Sequence, residues 1–318
     1  MRIALTALVA AVAITAPAAP AADFPSKPVR LVIGFAPGGG TDTTARALSN
    51  KLSPTWGQQV IVDNRPAHSG TLAADIVTKS VPDGHTILLG TIALVVNPSL
   101  TAKMPFDTLK DLAPVTRAAD STNILVVHPA VAAKSVKELI DLAKAKPLNA
   151  GSSGIGGTGH LAIELFNLQA GVKMTHVPYK GGGPAIIDLL AGNIQLIFAT
   201  GASSVAHIKS GKIRALAVTT LKRTALMPDL PTIAESGLKG FEANNWNAFF
   251  VPTGTPRPII NRLNKDLTAA LSLPDIKEFL FNQGLDAAPG TPEELGAYVK
   301  SEMAKWAKVI KAAGIQPQ

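Results

Sequence analysis

The sequence contains no cysteine, so disulfide bonds and thiolate metal sites are both excluded. Aromatic residues account for only 5% of the 318 residues, and they are not interleaved with basic runs. No block of five or more like charges occurs, and the formal net charge of +8 is spread along the chain. The charge therefore predicts no nucleic-acid partner and supports an anionic ligand only weakly. Without disulfides, stability has to come from a large hydrophobic core.

Several signatures of enzymes are also missing. No Gly-Lys pair is followed by Ser or Thr at P-loop spacing, and neither G-x-S-x-G nor H-E-x-x-H occurs. Gly154, Gly156 and Gly159 match the dinucleotide-binding spacing, but Pro178-Tyr179-Lys180 stands where the next strand should end in an acidic residue. The six histidines are scattered. The sequence therefore predicts no cofactor, no metal site and no catalytic residue.

The N-terminus carries the pattern of a secretion signal. Arg2 precedes an apolar stretch over residues 3–16, and Ala19-Pro20-Ala21 matches the A-x-A cleavage pattern. The stretch is shorter than the roughly 20 residues that span a bilayer, and no later segment is long and apolar enough. We therefore expect a signal peptide over residues 1–21, cleaved near Ala21, and a mature chain exported to the periplasm.

A glycine-rich turn follows the first predicted strand, residues 29–35. Gly38, Gly39 and Gly40 stand between this strand and a segment of helical composition, residues 43–48. Glycines let backbone N–H groups turn toward one point, and a helix N-terminus adds its positive dipole end. The turn therefore suits a carboxylate or a phosphate. The alternative is a strand–helix turn that needs glycine only for its geometry.

A second turn of the same design occurs far along the chain. A short strand over residues 148–151 leads into Ser152, Ser153 and Gly154, and a helix begins beside His160. Two such turns in separate lobes would place two helix N-termini across one cleft, where open α/β sheets usually bind ligands. The repetition favours anion binding over turn geometry. We interpret the two serines as hydroxyl donors and His160 as a residue beside the site.

Three further side chains have two interpretations each. Asp42 is expected to cap the helix that begins near it, or else to orient water or a cationic group of the ligand. Tyr179 precedes another glycine turn and would line the cleft or cover its edge. Trp246, in the polar segment Asn244–Asn247, would be either a core residue or a cleft residue.

Predicted strands and helices alternate along the chain. The strands are expected at 60–64, 86–91, 113–117, 124–128, 173–177, 194–198, 213–218 and 248–251, besides those already named. The helices are expected at 71–79, 136–146, 161–170, 185–191, 205–209, 257–271, 275–282 and 292–313. The alternation favours an α/β fold with parallel sheets and helices on both faces. The 297 residues left of 318 after cleavage are enough for two lobes.

Seven segments spread over the mature chain resemble a known family. They are Phe24–Arg30, Pro37–Asp42, Val62–Pro66, Pro82–Thr86, Gly151–Gly154, His176–Gly182 and Pro228–Gly237. In this order they resemble the Bug (TctC-like) solute receptors of tripartite tricarboxylate transporters. The likeness covers essentially the whole mature chain.

The resemblance implies a type II-like, Venus-flytrap periplasmic binding protein. Its two α/β lobes would have parallel-rich sheets and would be joined by two crossovers around a hinged cleft. Lobe one would comprise residues 22–123 plus 249–318, and lobe two residues 124–248. Such receptors close on a carboxylated solute and deliver it to the membrane permease subunits of the transporter. We expect a monomer that acts without a cofactor.

The resemblance also assigns site residues by position. In the family, backbone amides of the two strand–helix loops hold the carboxylate. The sequence departs from the family at Ala199-Thr200-Gly201 and at His68-Ser69-Gly70, which leaves the distal half of the ligand unassigned. The candidate ligand-binding residues are Gly38, Gly39, Gly40, Thr41, Asp42, Ser69, Thr91, Ser152, Ser153, Gly154, His160, Tyr179, Thr200 and Trp246.

Two other functions use the same cleft. An exported enzyme of this fold would act on a carboxylated substrate, and it would need an acid/base pair or a nucleophile that the sequence does not make evident. A solute sensor would present its liganded form to a membrane kinase. The acid itself is not identified by the sequence.

Overall fold

The computed structural model describes residues 24–37, 40–67, 70–179 and 181–317. The expected signal peptide and three candidate site residues, Gly38, Gly39 and Ser69, lie outside the described residues. Within them, no helix is both long enough and apolar enough to cross a membrane.

Eleven strands and eleven helices alternate through most of the described chain. The strands are β1 (Val29–Ile33), β2 (Val60–Asn64), β3 (Thr86–Thr91), β4 (Leu112–Ser121), β5 (Asn123–Val127), β6 (Asn149–Ser152), β7 (Thr175–Pro178), β8 (Leu196–Thr200), β9 (Arg214–Val218), β10 (Asn245–Pro252) and β11 (Leu285–Ala287). The helices are α1 (Gly40–Trp56), α2 (Thr71–Thr78), α3 (Ala93–Leu100), α4 (Thr108–Asp111), α5 (Val136–Ala145), α6 (Thr158–Ala170), α7 (Gly182–Leu190), α8 (Gly201–Lys209), α9 (Arg257–Ser272), α10 (Pro274–Asn282) and α11 (Pro292–Ala312).

The strands form two sheets. The first has the order β11-β4-β10-β3-β1-β2 and the second the order β7-β6-β8-β5-β9. In the first sheet β1 pairs in parallel with β2 and β3, whereas β10 is antiparallel to both β3 and β4. In the second, β6 pairs in parallel with β7 and β8, whereas β5 is antiparallel to β8 and β9. The predicted two-sheet α/β class is therefore confirmed, and each sheet is mixed, with its parallel part on the side of β1 or β6.

Two chain crossings connect the sheets. Thr122 alone separates β4 in the first sheet from β5 in the second, and residues 219–244 lead from β9 back to β10. Because β10 re-enters the first sheet from the second, it runs opposite to β3 and β4. The predicted lobe boundaries at residues 123–124 and 248–249 fall near these crossings, and as limits of domains they stay a prediction.

The hydrophobic core is continuous from one sheet to the other. One cluster joins Val32 and Leu88 of the first sheet to Leu125 and Phe198 of the second. Helix α11 contributes the buried ring of Trp306 to the same cluster. This helix begins with a capping box, in which the Thr291 hydroxyl accepts from the Glu294 amide and the Glu294 carboxylate accepts from the Thr291 amide. Helix α11 thus packs against α3 and α6 and ties the two halves together.

Candidate functional site

The loop after β1 begins at a close backbone-to-backbone contact. A Cβ atom at Gly34, directly after β1, would lie 2.3 Å from the Cα of Gly70, which precedes α2. Gly70 itself has φ of 91°, a conformation that L side chains rarely adopt. Both positions therefore require glycine, and the contact fixes the start of the loop that leads to α1.

Asp42 is built into the first turn of α1. Its side chain is 2% exposed, accepts a hydrogen bond from Arg46 Nε at 3.0 Å, and accepts another from Asn64 Nδ2 at 2.9 Å. The same Asn64 amide group donates to the Phe35 carbonyl at 3.0 Å. These bonds join the helix start, the end of β2 and the loop after β1. They match the structural interpretation of Asp42, and a ligand role for it stays a prediction.

The second glycine turn is fixed by Ser152. This side chain is 2% exposed, and its hydroxyl lies 2.6 Å from His176 Nε2. The hydroxyl donates to the Gly154 carbonyl at 3.0 Å and accepts from the Gly154 amide at 3.2 Å. With its proton directed to Gly154, the hydroxyl accepts from His176. Ser152 therefore shapes the loop, whereas the neighbouring Ser153 is exposed.

Two stacked histidines support this loop from behind. The rings of His160 and His176 lie 3.8 Å apart with an interplanar angle of 15°. His160 Nδ1 accepts the Gly156 amide proton at 3.0 Å, which places the ring proton on Nε2, facing Glu164 Oε1 at 3.7 Å. Burial lowers the pKa of His160. Burial and the neighbouring His160 lower the pKa of His176 to about 4, so both rings are neutral at pH 7.

The pair of Ser152 and His176 has the spacing of a nucleophile and its base. The serine oxygen is buried, however, and it is bonded to both the amide and the carbonyl of Gly154. Its observed bonds position a loop. This contact could not be predicted from the sequence, because it depends on the parallel register that sets β6 beside β7, with Ala150 opposite His176.

The two turns follow strands that occupy corresponding parts of the two sheets. Each follows the carboxyl end of a strand in the parallel part of its sheet, β1 or β6. A Cβ atom at Gly156 in the second turn would lie 2.8 Å from Leu100 Cδ1 of α3, the helix after β3. The second turn and the C-terminal end of α3 therefore approach each other. The first-turn amides of α6, at Thr158–His160, lack intrahelical acceptors, as at every helix N-terminus.

The remaining candidates have different surroundings. Thr91 ends β3, is 5% exposed, and accepts from the Ala93 amide at 3.3 Å. Thr200 ends β8 and is exposed, with its hydroxyl 2.9 Å from that of Ser203. Tyr179 donates to Asp188 Oδ2 at 2.7 Å, and burial together with this carboxylate raises the pKa of the phenol to about 12. Gly40 and Thr41 form the first turn of α1.

Trp246 is 1% exposed, and its ring packs edge-on against Tyr298 of α11 at 5.9 Å. In this conformation the indole belongs to the core, and a ligand role for it stays a prediction.

Two residues that were not predicted from the sequence lie near the crossovers. Asn123 stands opposite Thr200 and Asn247 opposite Thr91, and the Oδ1 atom of each is buried without a hydrogen-bond partner among the described residues. Amide side chains at these places suit the floor of a cleft.

Comparison with known families gives one clear result. Residues 44–315 match the model of the tripartite tricarboxylate transporter family receptor, TctC. A UPF0065 protein encoded in the tcbD–tcbE intergenic region of Pseudomonas sp. strain P51 is 40% identical over 290 residues, which cover 90% of this chain and 86% of the relative. Protein BugT of Bordetella pertussis is 36% identical over 299 residues, or 92% of this chain and 90% of the relative.

Solved structures agree with this result. An R. palustris protein solved with adipate is 38% identical and has a TM-score of 0.75, over 93% of this chain and all of that protein. MatC from Rhodopseudomonas palustris, solved with bound malate, is 30% identical with a TM-score of 0.69, over 90% of this chain and all of that protein.

Proposed function

Because this chain belongs to the TctC family of solute-binding receptors, we propose that it captures a small organic carboxylate in the cleft between its two sheets. The captured solute is delivered, chemically unchanged, to the membrane permease of a tripartite tricarboxylate-type transporter. The receptor works in the periplasm as a monomer, after loss of residues 1–21. It is a binding protein and not an enzyme.

The observation that carries this proposal is the adipate-bound structure, since it combines 38% identity with coverage of 93% of this chain. The malate-bound neighbour supports the same ligand class, because malate is also a small dicarboxylate. The loops of this chain suit such a ligand. They supply backbone amides and helix N-termini, which favour a carboxylate without a fixed cation at the site.

We assign the ligand to the two turns residue by residue. Gly38–Thr41 and Ser153–Gly154 offer backbone amides, and Ser69, Thr91 and Thr200 offer side chains or amides to the distal half. Ser152 and His160 hold the second loop in shape. Asp42 does the same for the first loop. Tyr179, at the edge of the cleft, and Trp246 complete the predicted set.

Calorimetry on the purified mature chain tests the proposal. The probes are a series of small carboxylates that includes adipate, malate and aromatic monocarboxylates. The tightest acid is then compared with its methyl ester, in which the carboxylate lacks the charge that the helix ends favour. We expect the ester to bind at least about a hundredfold more weakly, a loss of about 2.7 kcal/mol.

A Gly39→Val variant is the companion test, because a side chain there obstructs the approach of an anion to the backbone. Thr41→Ser, which retains the amide and the hydroxyl, serves as its control. Circular dichroism checks that both variants fold. An ester that binds as well as the acid, or a folded Gly39→Val variant with unchanged affinity, would contradict the assignment of these loops.

A further inference from the structure

The second sheet has a far edge, opposite to the strand ends that lead into the second glycine turn and into Thr200. The first residues of β6, β7 and β8 lie side by side at this far edge, because the three strands are parallel. Val127, at the end of the antiparallel β5, stands opposite Leu196 of β8 and Arg214 of β9. Five strands spaced about 4.8 Å apart make the far edge roughly 19 Å wide.

The chain segments at this far edge carry basic residues and no acidic ones. They are residues 128–135, 146–148, 171–174, 191–195 and 209–213. Lysines occur in four of these segments, and all of them are exposed: Lys134, Lys146, Lys173, Lys209 and Lys212. The order of the strands brings these lysines to one edge, although no block of like charges occurs in the sequence.

The charge of these lysines is not compensated by carboxylates. None of the five forms an ion pair among the described residues. Glu138 accepts the backbone amide proton of Lys134 at 2.8 Å without pairing with its ammonium group. Asp188 accepts from Tyr179 and Asn193. Helix α5 adds no net charge, because its exposed residues include two lysines and two acids, namely Lys137, Glu138, Asp141 and Lys144.

The corresponding edge of the first sheet has a different charge pattern. Lys27, before β1, pairs with Asp83 at 2.9 Å, and Lys79, after α2, pairs with Asp75 at 2.7 Å. Both lysines at that edge are therefore neutralised by a nearby carboxylate. The accumulation of unpaired lysines is thus a feature of the second sheet and does not follow simply from the basic composition of the whole chain.

The backbone that carries the lysines is held in place by Arg214. Its guanidinium group donates to the carbonyls of Val131 and Ala133 at 3.1 and 3.2 Å, and to that of Pro129 at 3.2 Å. The Ser135 hydroxyl caps the N-terminus of α5 just after this loop. The arginine is therefore engaged with the protein itself, whereas the lysine ammonium groups extend from a fixed backbone toward solvent.

The composition of the far edge fits a surface of phosphate groups better than a protein or a nucleic acid. Protein interfaces are anchored by aromatic and arginine side chains, and nucleic-acid sites combine basic charge with aromatic stacking. The segments at the far edge contain no Trp, Tyr or Phe. Their larger apolar side chains are buried, as with Leu148, Met174 and Ile213. Lysines on flexible stems, without such anchors, suit the headgroups of an anionic bilayer.

We infer that the far edge of the second sheet docks electrostatically on an anionic lipid surface, with its five exposed lysines facing the phosphate groups. Docking leaves the carboxylate cleft accessible, because the five residues of β8 separate the far edge from Thr200 by about 16 Å. The docked receptor is concentrated at the membrane that contains the permease. This consequence rests on the proposed function, whereas the docking itself does not.

The test is co-sedimentation of the mature chain with lipid vesicles at neutral pH. In about 25 mM sodium chloride, vesicles of equal parts phosphatidylglycerol and phosphatidylcholine should retain the protein, and about 500 mM should release it. Vesicles of phosphatidylcholine alone should not retain it. Lys146→Gln combined with Lys212→Gln should weaken the partitioning about twentyfold or more, since each lysine near an anionic surface contributes roughly a factor of five.

Lys265→Gln combined with Lys277→Gln is the matched control. It removes the same charge from exposed lysines of α9 and α10, which pack on β4 and β11 of the first sheet. Partitioning should stay within about twofold of the parent, because charges away from the docked surface are screened. Circular dichroism checks that both double variants fold.

Three results would overturn the inference. They are equal retention on both kinds of vesicle, an equal loss in the two double variants, and binding of duplex DNA in the same buffer as tightly as the anionic vesicles. Should a double variant fail to fold, the dependence on vesicle composition and on salt decides for the unmodified chain. A failure here leaves the carboxylate cleft untouched, since that cleft is tested with acids and esters.

Discussion

Two regions of the molecule differ in the groups that they present: the region of the two glycine turns, called the cleft side, and the region where β4, β11 and the second crossing meet, called the back side. On the cleft side, glycine turns and helix N-termini expose backbone amides, and the nearby side chains that shape them are neutral or already bonded, as with Ser152 and His160. On the back side, where β4, β11 and the second crossing meet, carboxyl and cationic side chains lie close together, as with Asp120 and Arg117. The first arrangement suits an anion, whereas the second places side-chain charges of both signs next to each other. The same fold thus combines backbone donors in one region with paired side-chain charges in another.

The largest expected effect is on the cleft side, at Gly34. Gly34→Ala puts a Cβ atom 2.3 Å from the Cα of Gly70, and neither backbone segment can move without displacing its strand or helix. We expect a loss of about 3 kcal/mol in the free energy of unfolding, and a loss of carboxylate binding of at least about a hundredfold. Urea unfolding and calorimetry measure these two quantities.

Gly296→Ala in α11 is the control for this variant, since the added methyl group would meet Pro114 only at an ordinary contact distance of 3.5 Å. It should be neutral or slightly stabilising, because alanine favours a helix over glycine. If Gly34→Ala behaved like Gly296→Ala, the contact between Gly34 and Gly70 would have no part in fixing the loop.

The next largest effect is expected on the back side, at Asp120. The pKa of Asp120 is raised to about 6 in the folded chain, so the folded state binds more protons than the unfolded state between about pH 4 and pH 6. The free energy of unfolding contributed by this group therefore falls as the pH rises through that range. Asp120→Asn should raise the free energy of unfolding at pH 7.5 by about 2 kcal/mol and flatten its decline with pH. Urea unfolding at a series of pH values measures both, and a variant less stable than the parent at pH 7.5 would contradict the raised pKa of Asp120.

His176 on the cleft side should show the opposite dependence. Burial and the neighbouring His160 lower its pKa to about 4, so the unfolded state binds more protons between about pH 4 and pH 6.5. The stability contributed by this ring is fully present above about pH 6.5 and is lost as the pH falls toward 4. We expect about 1–2 kcal/mol from this half-buried group. His176→Gln keeps a donor for Ser152 and should remove the loss of stability at low pH. If the free energy of unfolding of this variant fell as steeply with decreasing pH as that of the parent, the two stacked histidine rings would not both be neutral in the folded chain.

The smallest effect separates two adjacent serines. Ser152→Ala removes the bonds that shape the second loop, so carboxylate affinity should fall by about 1–2 kcal/mol, or about tenfold. Ser153 is exposed and is a candidate donor to the ligand itself. Ser153→Ala should therefore weaken only those acids whose carboxylate reaches this hydroxyl. If Ser152→Ala left every affinity unchanged in calorimetry, its hydroxyl would not be shaping the site.

Local features of the fold were predictable from the sequence. Strands β2 and β3 have the predicted bounds, because short β-branched runs between turn residues mark buried strands. The stripe of Leu295, Val299 and Trp306 in α11 is buried, as its helical spacing indicates. Helix α3 was missed, since its first four residues are all apolar and Pro98 interrupts the pattern after them. The three-residue strand β11 is too short for any period to show.

The two sides differed in how much of each could be predicted. A glycine turn is a local motif, so the cleft loops can be recognised from a few consecutive residues. The contact between Ser152 and His176 depends on strand register, and the region where β4, β11 and the second crossing meet brings together Asp120, Glu242 and Asp286 from three distant segments. Only the order of strands in the sheets brings these side chains together. A site made of side chains from distant segments therefore left no signal in the sequence.

The central claim is that the cleft side captures a carboxylate and releases it unchanged. The most direct measurement is mass spectrometry of the solute freed by denaturing protein that was purified without added ligand. We expect a small organic acid, in about equimolar amount to the protein, that rebinds to the refolded chain with its structure intact. A bound solute without a carboxylate, or an acid that the protein converts to another compound, would contradict it.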